Sequence, residues 1–533
     1  MRTRNEASDM IVRPSTLAGR RSNALFALAL LAACLFAIGA ADAEDARHDG
    51  SNPLTALQHG LRPAVIKAGD APPGWSLHER MAHYKVPGVA IAVLEDGEVV
   101  EAVGFGVREA GTQDAVDGDT LFSVGSISKV ITAATSLRLA AQGQIDLDRD
   151  VDTYLESWHM PATPGVAGPA VTMRMLMSHT AGVTVHGFQD YMPGEALPTL
   201  LETLDGKPPA RNDPVRLERE PGSRGDYSGG GVMIEQQVLE DLTGTPLETV
   251  ARAQVFGPLG MRRSTFENPL PAARGNIAKA HDDKGAPTAL PLGWQIFPEQ
   301  AASGLWTSAN ELGAFVGALI KSYQGSATFL PRPIATQMMT QVSASPHGLG
   351  PRLDGAGTTR IFHHGGANDS YHAWIEGYLE TGDGFVILTN GANGYSLHNE
   401  IRNALSDAIG HGVNPPIRSA ALDLGMPAYA DYAGSYRIDT TVPMDLRGAI
   451  AYSFDFDVLE VELADGAFTL RLPGATEPVV LLPLTPTRFV TLSGTRQFEF
   501  HRDASGEVRA ISVEQGTARA YYRRQSVGKV SGP

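Results

Sequence analysis

One cysteine, Cys34, stands in 533 residues, so no disulfide can close within the chain and no Cys-based metal cluster can form. Positive charge is also short: 43 Lys and Arg against 59 Asp and Glu leave a net charge of -16, which disfavours a nucleic-acid phosphate backbone as partner. The sequence lacks His-Glu-x-x-His and offers no metal site. It also lacks Gly-x-Ser-x-Gly, since Gly394-Tyr395-Ser396-Leu397-His398 misses the closing glycine, and this disfavours an α/β-hydrolase. No chemistry in the chain calls for a cofactor.

Long apolar runs are confined to residues 24–41. Arg20-Arg21 precede that run and Ala41-Asp42-Ala43 offers a small-x-small cleavage site, so residues 1–43 read as an export signal. Two other readings compete. Leu31-Ala32-Ala33-Cys34 resembles a lipoprotein cleavage site, which would leave a lipid on Cys34. An uncleaved anchor is the third, because about 18 apolar residues approach spanning length. All three place the body outside the cytoplasm, periplasmic or secreted.

A chain of this length exceeds one core and divides into two or three domains. Residues 44–75 are polar and punctuated by Pro and Gly, a leader to the first domain. Residues 86–93 and 99–107 then read as two strands around an Asp96-Gly97 turn, and 373–378 and 385–390 as a second hairpin. Helices follow from Ile234, Val238, Leu239 and Leu242 with Gly244 as cap, and from Leu397, Ile401, Leu405 and Ala408. From His186 to Pro221 prolines recur without periodicity, and a loop that long is expected to form a functional rim. Asn414-Pro415-Pro416 opens a linker. Beyond it six short alternating strands, at 458–463, 468–472, 489–492, 497–501, 508–513 and 518–523, form an all-β module of barrel or sandwich type over residues 427–525.

The stretch that carries chemistry is Gly125-Ser126-Ile127-Ser128-Lys129. Ile127, Val130, Ile131, Ala134 and Leu137 recur at helical spacing, so Ser126 sits at a helix start with Lys129 one turn later on the same face. An alcohol is a poor nucleophile at neutral pH, and an amine within hydrogen-bond reach can take its proton. The pattern Ser-x-x-Lys alone is weak: Ser526-Val527-Gly528-Lys529 also matches it, in a polar tail with no helix around it.

Tyr227-Ser228-Gly229 and then His364-Gly365-Gly366 follow in order. The three motifs together resemble those of class C β-lactamases and the related penicillin-binding proteins and esterases. So do Ser178-His179-Thr180-Ala181-Gly182, Pro258-Leu259-Gly260-Met261 and Ala302-Ser303-Gly304-Leu305-Trp306. The resemblance covers roughly residues 75–410, within a hydrolase domain set at 44–413. It implies an α/β (α+β) fold, an antiparallel sheet flanked by helices. It further implies that Ser126 attacks an acyl carbonyl, that Lys129 accepts its proton, and that Tyr227 serves the leaving group and later the hydrolytic water. The backbone N–H groups of Ser126 and Ala367 would form the oxyanion hole. His364 and Gly366 would line the substrate on the strand, where relatives have Lys or His at the first position. His363 should face the other way, and His179 is read as structural. One departure stands out: relatives commonly carry Asn two places after the tyrosine, where this chain has Gly229.

The resemblance therefore implies a serine hydrolase of small acyl substrates: a β-lactam, a D-amino-acid peptide or a carboxylic ester. The alternative is a penicillin-recognising receptor that acylates without efficient turnover.

Overall fold

In the computed structural model the described residues are 52–525, apart from 328, 344, 442–456, 465–466, 472–477 and 516–517. The expected signal, Cys34 and Ser526 lie outside them. At the centre, strand β1 (Gly88–Glu95) is buried along its length as far as Glu95. Val89, Ile91 and Val93 point into one apolar cluster and Ala90, Ala92 and Leu94 into another, as the two-residue period of a strand requires. Asp96-Gly97 turns the chain into β2 (Glu98–Gly106). Four later strands complete the sheet: β3 (Arg352–Asp354), β4 (Ile361–Ala367), β5 (His372–Tyr378) and β6 (Gly384–Thr389). The order is β2-β1-β6-β5-β4-β3, every neighbouring pair antiparallel.

Both faces are covered by helices. Helix α1 (Leu77–Tyr84) and helix α5 (Gly394–Ile409) bury Leu77, Met81, Leu397, Ile401 and Leu405 against Ile91 and Ile387 on one face. On the other face lies α4 (Ala309–Gln324), whose Gly313 faces the side chains of Val99 and Ala92. The same cluster continues into a helical region built on α2 (Ser128–Ala141) and α3 (Gly229–Thr243). Ser136 on α2 donates to the buried Glu235 of α3 at 2.6 Å. Among the described residues no helix is long and apolar enough to cross a membrane.

Residues 53–75, expected as a leader, are part of the fold. Leu57 and Leu61 are buried against α5, and the buried Arg62 donates to Asp407 Oδ1 and to the Asn414 carbonyl, both at 2.7 Å. Val65–Ile66 pairs in parallel with Ile417–Arg418, so a strand follows where a linker was expected. Apolar doublets of this length carry no readable period in sequence.

The C-terminal module is a closed barrel of eight described strands, in which Ala518–Arg524 returns to pair with Gly434–Ile438. This decides between barrel and sandwich. Two of its strands, Gly434–Ile438 and Val479–Pro483, were not among the six expected. Tyr432, Tyr436, Phe468, Phe489 and Phe500 fill the interior, with Tyr432 stacked on Phe500 at 4.3 Å between ring centres. On the outside, Leu482 and Val490 cover Val65 and so join the barrel to the domain that precedes it.

Candidate active site

Phe122–Ser123 pairs with Trp306–Thr307 and delivers the chain to a single tight turn, Gly125–Ile127, from which α2 departs. Gly125 takes φ +48°, a conformation that strains a side chain, and a Cβ there would stand 2.7 Å from the Ala367 nitrogen. Ser128 clamps the turn by donating to the Gly125 carbonyl at 2.6 Å and accepting from the Leu305 N–H at 2.9 Å. The segment from Ala302 to Trp306 is thus pinned against the turn that carries Ser126.

Lys129 is 5% exposed. Its Nζ donates to Ser126 Oγ at 3.1 Å and to the Ala302 carbonyl at 2.8 Å. That leaves the amine one proton transfer from the serine, with its orientation held by the carbonyl behind it. Tyr227 completes the group: Lys129 Nζ lies 5.0 Å from its ring centre. Ser228 caps α3 by accepting from the Gly231 N–H at 2.9 Å, and its own N–H donates to His179 Nδ1 at 3.2 Å.

Strand β4 closes the site. Gly366 lies so near the nucleophile turn that a Cβ on it would stand 3.2 Å from the Ser126 nitrogen. The amides of Ser126 and Ala367 therefore belong to adjoining backbones, the arrangement an oxyanion needs. His364 faces Tyr227 at 6.2 Å between ring centres, and its Nδ1–H donates to the Gly365 carbonyl at 2.7 Å. Burial, with the Arg352 guanidinium adding to it, pushes His364 down to about 3. It is a neutral imidazole at pH 7 and supplies no cation for a substrate carboxylate. His363 points to the opposite face and stacks on Trp374 at 5.0 Å.

Gly229 is buried under the ring of Phe188, whose Cε2 would stand 2.8 Å from a Cβ at that position. Behind Lys129, burial raises Glu299 to about 8, and burial likewise raises Asp190 to about 6, with Asp369 N–H donating to it at 3.2 Å. His186, Glu218 and Asp226 also converge. Arg219 takes both carboxylates, Glu218 at 2.8 Å and Asp226 at 2.7 Å, which fits an ion-pair network better than a cation site.

The sequence model of the Beta-lactamase family matches residues 76–408. The chain belongs to that family. Among curated relatives, Penicillin-binding protein 4 of Amycolatopsis lactamdurans is 32% identical over 228 residues, 42% of this chain and 55% of the relative. A D-aminopeptidase of Brucella anthropi is 25% identical over 289 residues, 54% of this chain and 52% of the relative. The chain thus spans about half the length of these curated relatives. The octameric penicillin-binding protein homologue from Pyrococcus abyssi shares the fold, with a TM-score of 0.54 and 22% identity, over 84% of this chain and 98% of that structure.

Two histidines pack at Tyr227, one of which, His347, the sequence reading did not name. His179, read as structural at a helix end, lies with its ring 4.4 Å from that of Tyr227, and His347 packs 4.7 Å from His179 and 5.9 Å from Tyr227. Burial holds both well below the ordinary histidine range. The end of the helix Met173–Met177 supplies His179 and the loop before β3 supplies His347, and nothing local to His347 marks that meeting. Phe188 was missed for the same reason: it lies in the expected rim loop, which gave no residue-level signal.

Proposed function

We propose that this chain is an exported serine hydrolase that cleaves small acyl compounds through an acyl-enzyme on Ser126. The observation that carries the reading is the 3.1 Å contact between Lys129 Nζ and Ser126 Oγ, within a site closed by Tyr227 and the Gly366 strand. Lys129 takes the serine proton as Oγ attacks the carbonyl carbon. The negative charge that develops on the carbonyl oxygen meets the N–H groups of Ser126 and Ala367. Collapse expels the leaving group, which takes a proton by way of Tyr227 and Lys129. Water then attacks the ester carbon, gives its proton to the same pair, and frees Ser126.

The named relatives, a penicillin-binding protein and a D-aminopeptidase, support β-lactam and D-amino-acid compounds as substrates alongside simple esters. Purified protein should be assayed on nitrocefin, short-chain p-nitrophenyl esters and D-Ala-D-Ala peptides, with fluorophosphonate labelling in parallel. Turnover of at least one class is expected, with labelling abolished by Ser126→Ala and intact in Ser526→Ala. Labelling that survives Ser126→Ala removes the assignment. A wild-type adduct stable for hours with every acyl donor would favour the receptor instead. Export predicts a mature protein that begins after Ala43, read directly from its mass.

A further inference from the structure

The segment that follows Gly182 is seated on the first turn of α3 by backbone contacts. Ser228 Oγ donates to the Thr184 carbonyl at 3.0 Å, and the Gly230 N–H donates to the Val185 carbonyl at 2.8 Å. A Cβ on Gly230 would lie 2.5 Å from the Thr184 oxygen, so the two backbones touch. The seat fixes the path of the chain as far as Phe188. Its ring consequently lies on Gly229, two places after the tyrosine that faces Lys129. Phe188 also lines a cavity of about 110 Å³ whose walls include Tyr191, Pro298, Arg211, Asn212 and Glu299.

We infer that Phe188 is the residue that sets the acyl-group preference of this site, selecting short apolar acyl groups over those that carry an amide beside the scissile carbonyl. The inference rests on the acyl-enzyme reading given above. Over Gly229 the substrate meets a hydrocarbon face that offers neither donor nor acceptor. An amide placed against it gives up water and gains no partner, whereas a methylene chain gains contact. Any side chain at Gly229 displaces the ring, because a Cβ there would stand 2.8 Å from Phe188 Cε2.

The test uses the full chain as wild type, Phe188→Ala, Phe188→Leu, Gly229→Asn and the Phe188→Ala/Gly229→Asn double variant. Each is assayed on p-nitrophenyl acetate, butyrate and hexanoate and on benzylpenicillin. Phe188→Ala should lower the butyrate-to-acetate ratio of kcat/KM by about tenfold, mainly through KM, the scale of a lost methylene contact. Phe188→Leu, still apolar, should keep most of that ratio. Gly229→Asn should raise the penicillin-to-butyrate ratio by about tenfold in the Phe188→Ala background and not in the presence of Phe188, because contacting residues are non-additive. Fluorophosphonate labelling of Ser126 accompanies every assay. A wild-type protein that never labels and never turns over fails the acyl-enzyme reading itself. Labelled variants whose ester ratios do not move, or a Gly229→Asn gain that is the same with and without Phe188, overturn the role of Phe188. If Gly229→Asn does not fold, the Phe188→Ala and Phe188→Leu ratios decide the question alone.

Discussion

Gly366 leaves no room beside Val124: a Cβ on Gly366 would fall 1.9 Å from the Val124 carbonyl oxygen. The oxygen belongs to the backbone and the Cβ position is fixed by it, so no side-chain rotation relieves the conflict. The strand and the nucleophile turn must part by more than an ångström, and with them the amides of Ser126 and Ala367.

Gly366→Ala should therefore lose acylation by about a hundredfold or more, the scale of removing one oxyanion donor. Stability should fall by about 1–3 kcal/mol, as overpacking costs. Stopped-flow acylation and urea unfolding check the two arms, and a variant that acylates at the wild-type rate removes the closeness of these backbones from the mechanism.

Tyr227→Phe keeps the ring against Lys129 and His179 and deletes only the hydroxyl. Deacylation should slow by about a hundredfold, the range of a general acid–base group, and acyl-enzyme should accumulate in intact-protein mass spectra. Unchanged turnover would assign the proton to another group.

The contribution of Glu235 to stability should decline as the solution becomes more alkaline, while the buried neutral histidines His179, His347 and His364 pull the other way below about pH 6.5. Burial, opposed by the Ser136 hydrogen bond, raises Glu235 to about 8 in the folded chain, while the unfolded carboxyl titrates near 4.3. Between those values the unfolded state loses its proton and the folded state keeps it. The Glu235 contribution is thus fullest below the unfolded value and falls by as much as about 1.4 kcal/mol per pH unit as pH rises toward 8. Glu235→Gln removes this contribution, so the difference between wild-type and variant stability, measured by denaturant unfolding from pH 5 to pH 8, should shift against wild type as pH rises. A variant curve parallel to wild type would show that Glu235 is ionised in the fold.

A chain ended after Pro416 keeps Ser126, Lys129, Tyr227 and Gly366 and loses the barrel together with Ile417–Arg418. It should still label with fluorophosphonate. Val65, buried under Leu482 and Val490, becomes exposed, which costs on the order of 1.5–3 kcal/mol. A folded truncation that does not label would show that the barrel contributes to catalysis.

The parts of this molecule that were legible in sequence are those whose signal is local. Ser126 and Lys129 share one helical turn, and Asp96-Gly97 lies between two alternating runs; each is decided by its neighbours. The barrel strands at Val458–Ala464 and Val508–Gln515 were legible for the same reason, whereas Gly434–Ile438 and Val479–Pro483 are short and flanked by irregular sequence. His347 and Phe188 could not be read at all. Each gains its meaning from a partner far along the chain, Tyr227 for the one and Gly229 for the other. Residues 53–75 misled for a related reason: Leu57, Leu61 and Val65 are scattered among Pro and Gly, and only α5 and the barrel show that they are buried.

The N-terminal strap also carries a consequence for the order of assembly. Arg62 reaches its carbonyl acceptor on Asn414 across 352 positions of sequence, and its carboxylate partner Asp407 lies almost as far. During synthesis from the N-terminus Arg62 emerges long before its partners, which lie in and just after the last helix of the domain. Closing a loop of that length comes late in folding, because the entropy is lost before the contacts form. The strap is thus tied to the last helix of the domain, and a chain released before Asp407 leaves the guanidinium of Arg62 without its carboxylate.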